Sequence, residues 1–336
     1  MNPHRPRPAI DHPNDLQRLR EHLESTRQQF ESHPDVVGVT LNGGLSRGYG
    51  DELSEIDLTL YLTADGYETW TSGRAAVPTG ITVVDGQLYD IEIVQMDTFE
   101  SEPWSDTEQW DRSYAEILYD PEGRLATAFD EHLDSPPGLD RAEGLLFDCW
   151  WHFRLTTACW IRRGDAVQAH HVLDNAIDPL VESLFAVNGE YLPHEKWLVN
   201  LSRSLDWRPD DWGTRLQSAV ATGDGSMEAV FERRAAIASL WDDIDRFARD
   251  QSGDEIPVRW MQRTFYRALS HLVETERIPH ETWDATYGNR LLSMEPFASV
   301  VSVEDEMVTL DTTALDALTA EDLYEWHYQV VEAVRA

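Results

Sequence analysis

The stretch Val36-Val37-Gly38-Val39-Thr40-Leu41-Asn42-Gly43-Gly44-Leu45-Ser46-Arg47-Gly48 leads through a polar loop to Ser54-Glu55-Ile56-Asp57-Leu58-Thr59-Leu60-Tyr61-Leu62. Two apolar runs rich in β-formers flank a glycine turn. The second run carries Glu55 and Asp57 among hydrophobic residues. Positions i and i+2 of a strand point to one side, about 7 Å apart. The two carboxylates therefore share a face of a sheet and repel each other unless a cation sits between them. A Mg²⁺ ion, which usually comes with substrate phosphates, is the simple expectation. Gly43-Gly44 lets backbone approach a ligand closely. A helix opening near Leu45 would aim free N–H groups at phosphate.

Further along, Ile81 to Val84 and Gln87 to Val94 read as strands joined by an Asp85-Gly86 hairpin turn. The second of these contains Asp90 and Glu92, again two acids on one strand face. Glu92, between two β-branched apolar neighbours, lies deeper in the strand than Asp90. Leu16, Leu19, Leu23 and Phe30 form a helical stripe before Pro34. A short strand ending at Tyr119 and a helix from Leu125 follow. The segment Asp130 to Leu139, which contains Pro136-Pro137-Gly138, then reads as a linker. Beyond it the period becomes helical, beginning with Leu145, Leu146, Cys149, Trp150 and Phe153, and the rest reads as all helix. The expected segments are a disordered tail over 1–13, a sheet domain over 14–138, a helical bundle over 139–250 and a helical extension over 251–336. Cys149 and Cys159 lie in one helical segment, about 15 Å apart. That is too far for a disulfide, so both read as buried free thiols.

Acids outnumber bases 62 to 27, and the net charge is −35. That excludes general binding to nucleic acid or anionic membranes. The acids are spread through every segment, a pattern similar to the proteome-wide acidity of salt-loving archaea, where salt screens self-repulsion. No apolar run is long enough to span a membrane. The N-terminus lacks a secretory core, so the chain reads as cytoplasmic. Of the 27 basic residues only Lys196 is a lysine. A compact point charge is useful on a polyphosphate, which makes Lys196 a candidate binding residue.

Gly43-Gly44-Leu45-Ser46-Arg47-Gly48 with Ser54-Glu55-Ile56-Asp57-Leu58 resembles the nucleotidyltransferase superfamily typified by DNA polymerase beta and the aminoglycoside nucleotidyltransferases. That family has a Gly-Ser turn, often followed by Arg-Gly, and then an acid–hydrophobic–acid strand. This chain departs from the pattern at Gly44, where Ser is usual, and at Glu55, where Asp is usual. Asn188, Tyr191, Pro193, Lys196 and Trp197 match a run found in the helical domain of related bacterial and archaeal proteins. The resemblance covers residues 30 to about 200 and implies an α+β fold. A mixed sheet of nucleotidyltransferase type with flanking helices would precede an all-α domain.

It further implies Mg²⁺-dependent transfer of a nucleoside monophosphate, AMP from ATP, to a hydroxyl of a small-molecule acceptor. Members of that family carry a third carboxylate on a neighbouring strand, a place that Asp90 or, by preference, Glu92 would take, so that Glu55, Asp57 and Glu92 would hold up to two Mg²⁺ ions. Gly43, Gly44, Ser46, Arg47, Ser54 and Lys196 would bind the nucleoside triphosphate. A helical-domain carboxylate (Asp174, Asp178 or Glu195) would serve as base. The alternative is a weak or inactive member of the fold, a nucleotide sensor or antitoxin-like regulator. Oligomeric state is not readable.

Overall fold

The computed structural model describes residues 5–133 and 135–336. The first four residues of the expected tail, and position 134 of the expected linker, lie outside them. The chain divides into two compact units. One comprises residues 1–138 with 184–214; the other comprises residues 139–183 with 215–336.

The first unit is α+β. Its strands are β1 (Val36–Leu41), β2 (Ile56–Leu62), β3 (Gly80–Val84), β4 (Gln87–Gln95) and β5 (Glu116–Tyr119). They form one mixed sheet in the order β3-β4-β2-β1-β5. Only β2 and β4 run parallel; the other neighbours are antiparallel. Alternation along β1 and β2 sends Val39, Leu41, Ile56, Leu58 and Leu60 to one face. There they pack with Leu19, Leu23 and Phe30 from the helices Leu16–Thr26 and Gln28–Glu31. Each such side chain, fully buried, contributes about 1.5–3 kcal/mol. Tyr61 points to the opposite face, into a second cluster with Met96, Phe99 and Trp104.

The frayed tail expected over residues 1–13 is corrected where the chain is described at Arg5 to Ala9. Arg5 pairs with Glu190 at 3.3 Å and lies over the Tyr114 ring at 4.0 Å. Tyr114 donates to the Pro6 carbonyl at 2.7 Å. Ser204 and Asn200 accept from the amides of Arg7 and Ala9. Composition marks proline-rich ends as loose, but it cannot register partners 180 residues or more away in sequence.

The second unit is mainly helical. It includes Leu139–Trp150, a π-helical turn at Trp151–Thr156, the long helix Met227–Ser252, and the helices Arg263–Thr275 and Glu325–Arg335. It also holds a small antiparallel sheet that the all-helix reading does not anticipate: β6 (Arg277–Pro279), β7 (Val301–Glu304) and β8 (Met307–Leu310), in the order β6-β8-β7. The β7–β8 turn is Asp305-Glu306, with φ of 51° and 60°. Asn-Gly or Asp-Gly usually marks such a turn, so the sequence signal is missing. Both cysteines are free; Cys149 is buried as expected, but Cys159 is exposed. Among the described residues no helix is long and apolar enough to cross a membrane.

Candidate functional site

The parallel ladder between β2 and β4 sets Asp57 opposite Asp90 and Thr59 opposite Glu92. Side chains that pair across neighbouring strands share a face. Since Ile56, Leu58 and Leu60 face the core, Asp57, Thr59, Asp90 and Glu92 stand together on the other side. β1 adds Thr40 opposite Thr59. A hydrogen-bond chain links them. Thr40 Oγ1 donates to Asn42 Oδ1 at 3.1 Å, and Asn42 Nδ2 donates to Thr59 Oγ1 at 2.7 Å. Thr59 Oγ1 donates in turn to Glu92 Oε2 at 3.4 Å.

The glycine turn presses on this face. Gly43 has φ of +64°, and a Cβ placed there would lie 1.8 Å from Asp57 Oδ2. Glycine is required twice over at this position, for its dihedral and for the room the carboxylate occupies. Gly44 packs differently: a Cβ there would lie 3.0 Å from the Tyr49 carbonyl oxygen. The helix of the turn is a single four-residue stretch, Gly43–Ser46. Ser46 donates its hydroxyl to the Gly43 carbonyl at 3.0 Å, and Ser54 donates to Asp51 at 2.9 Å. Both hydroxyls are engaged within the loop, and neither lines the cavity described next.

A cavity of about 320 Å³ opens on the polar face, with Asp57, Asp90 and Glu92 on its wall beside Gly43, Arg47 and Lys196. Arg47 is almost fully buried, 4 % exposed. It binds Asp111 at 2.6 Å, and its guanidinium lies 4.7 Å from the Trp110 ring centre and 5.2 Å from that of Trp197. Lys196 sits in the first turn of the helix Glu195–Ser202, whose cap His194 accepts from the Lys196 amide through Nδ1 at 3.2 Å. Residues 184–214 belong to the first unit, so the lone lysine and the acidic strands fall in one body.

Burial pushes the Asp57 carboxyl up to about 7. Repulsion from Glu55 adds to this, and nearby Arg47 opposes it. Burial also raises Glu92, against the pull of Arg112. Removed from water and crowded by like charge, these carboxyls gain from any cation brought among them.

Glu55 precedes β2 and does not line the cavity, although its charge acts on Asp57. Glu55, Asp57 and Glu92 do not form a group whose oxygens lie within 4.8 Å of one another. Among the described residues the group that does is His12, Asp51 and Glu52, at the surface. Of the base candidates, Asp174 belongs to the second unit, where it binds buried Arg233 at 2.5 Å. Asp178 is also in the second unit, and Glu195 is not on the cavity wall.

Sequence reading missed Asp111, Trp110 and Arg112, which come from the helix Asp106–Arg112. The readable signal there was the capping box, Ser105 with Glu108. It announces a helix but says nothing of which face meets a cavity.

No family model and no curated protein matches the chain. Among solved structures the chain is similar to a nucleotidyltransferase-like protein from Exiguobacterium sibiricum 255-15. The identity is 11 % and the TM-score 0.41, over 86 % of this chain and 97 % of that one.

Proposed function

We propose that the chain is a nucleotidyltransferase that uses Mg²⁺ and a nucleoside triphosphate, ATP by preference, and moves the nucleoside monophosphate to a hydroxyl of a small-molecule acceptor. One observation carries this reading: Asp57, Asp90 and Glu92 share one cavity wall with Arg47 and Lys196. Carboxylates alone would suit a cation and cations alone an anion. The two together suit a metal–polyphosphate complex.

The donor set fits Mg²⁺, because all three acids offer hard oxygen ligands and the missing Cβ of Gly43 leaves Asp57 its space. Asp57, Asp90 and Glu92 would hold the metal, with Glu55 adding negative potential. Once bound, Mg²⁺ would neutralise charge on the phosphates and on the oxygens that enter and leave. Arg47, kept in place by Asp111 and two indoles, would bind the triphosphate, and Lys196 would add a second positive charge. The acceptor oxygen bonds to the α-phosphorus as the bond to the bridging oxygen breaks. The proton of the acceptor hydroxyl goes to a wall carboxylate, and pyrophosphate leaves.

The test is calorimetric titration of ATP with and without Mg²⁺, followed by a pyrophosphate-release screen over small hydroxyl compounds. Binding should tighten at least tenfold with Mg²⁺, and Asp57→Asn should abolish that gain. ATP binding indifferent to Mg²⁺ would sink the reading. A second reading, a nucleotide sensor without turnover, draws support from the position of Glu55 off the cavity wall. It predicts the same binding with no pyrophosphate from any acceptor.

A further inference from the structure

In a chain where acids outnumber bases 62 to 27, one surface cavity of the second unit reverses the balance. It encloses about 390 Å³ and sets Arg154, Arg162 and Arg234 against the single acid Glu325, beside the indoles of Trp150 and Trp326. Arg234 is held in place from behind. Its Nε donates to the Phe153 carbonyl at 2.9 Å and its Nη2 to the Arg154 carbonyl at 3.2 Å, and among the described residues Nη1 has no acceptor. Both carbonyls belong to the π-helical turn Trp151–Thr156, where the widened turn shifts the usual i−4 partners. The guanidinium is thus fixed before any ligand arrives, and little conformational freedom remains to be lost on binding.

The other two cations are poorly compensated. Arg154 reaches Glu325 at 3.7 Å, and that carboxylate is largely in solvent. Such a pair is worth little. Arg162 has no ion pair among the described residues. Arg154 and Arg234 also repel each other, an effect that adds to burial in lowering the proton affinity of Arg234. An anion among the three would relieve that repulsion. Trp326 is 3 % exposed, enclosed by Phe147, Phe265 and His327, and its ring backs that of Trp150 at 6.2 Å and 73°, so Trp150 is the indole that offers a face. An adjoining cavity of about 240 Å³ shares Trp150, Arg154, Glu325 and Trp326, so the aromatic surface continues past the arginines.

We propose that this cavity binds a nucleoside mono- or diphosphate, with its base against the half-buried Trp150 indole and its phosphate among Arg154, Arg162 and Arg234. Guanidinium forks match phosphate oxygens, and indoles stack on any base. Three cations against one acid disfavour a cationic ligand. The Trp150 indole is surplus to the needs of inorganic phosphate alone. The space is within the range of small-molecule sites. The inference does not depend on the nucleotidyl-transfer reading, because no residue is shared with the acidic cavity.

The experiment is titration of the full chain with AMP and ADP in EDTA, followed by calorimetry and tryptophan fluorescence. Saturable binding is expected, unchanged in Asp57→Asn and weakened at least tenfold in the double variant Arg154→Gln/Arg162→Gln. Both arginines are exposed, and a thermal melt checks that the variant stays folded. Adenosine and inorganic phosphate should each bind at least tenfold more weakly than AMP. Any of four results overturns the proposal: no binding of either nucleotide in EDTA; binding that the double variant leaves intact; phosphate alone binding as well as AMP; or a single-stranded oligonucleotide preferred over AMP.

Discussion

Asp57 is the carboxyl of the acidic cavity whose proton affinity is lifted furthest. Its carboxyl is lifted from the usual 3.8 to about 7, by burial first and by Glu55 second. A carboxyl lifted in this way binds its proton more tightly in the folded chain than in the unfolded one. Its contribution to stability is therefore complete below pH 4 and is lost as pH rises through about 7. The rise bounds that loss at no more than about 4 kcal/mol. Asp57→Asn removes the charge and keeps the shape. In EDTA the variant should resist urea better than the parent at pH 8, and the advantage should shrink toward zero by pH 4. Urea midpoints across that range are the measurement. Equal midpoints at pH 8 would mean that Asp57 is solvated or already neutralised. Adding Mg²⁺ should stabilise the parent more than the variant, since only the parent offers the metal this carboxylate.

The glycine turn and β2 act as one piece, because Gly43 presses its bare Cα against the Asp57 carboxylate. Gly43→Ala sets a methyl 1.8 Å from Asp57 Oδ2 and forces a side chain into a left-handed dihedral. The expected cost is about 2–4 kcal/mol. It should appear as a lowered melting temperature together with loss of Mg²⁺-dependent ATP binding. Gly48→Ala is the control, since its φ is also positive but nothing lies within 4 Å of the added Cβ. It should cost less and leave binding intact.

At this scale the sequence was readable in some places and silent in others. β1, β2 and the β3–β4 hairpin announce themselves through apolar runs rich in β-formers and the Asp85-Gly86 turn. Strand geometry puts Asp90 and Glu92 on one face of their strand, but the register that sets them beside Asp57 comes only with the fold. Nothing comparable exists for Trp110 and Asp111. A helix turns each successive residue by about 100°, and only tertiary packing decides which of them meets Arg47. The sheet β6-β8-β7 escaped for a different reason. Its strands are three or four residues long, and its turn uses Asp305-Glu306, two residues that seldom adopt positive φ.

Over the molecule as a whole, a net charge of −35 opposes compaction. Local ion pairs such as Arg263 with Glu143 offset some of it, but most acids have no basic partner available when 27 bases serve 62 acids. Screening should therefore stabilise the chain. Raising NaCl from about 0.1 to about 1 M shortens the screening length from about 10 to about 3 Å. The melting temperature should rise by roughly 5 °C or more. A flat or falling response would show that the acids are spaced widely enough not to oppose one another.

The first unit is not continuous along the chain, since residues 184–214 complete what residues 1–138 begin. During translation a nascent polypeptide released only as far as Gly138 would hold the carboxylates and the glycine turn but not yet Lys196. Protein synthesis must run through Thr214 before that body has all its parts, with 45 residues of the other body made in between. Gene fragments cut at the proline-rich linker would inherit the same deficit.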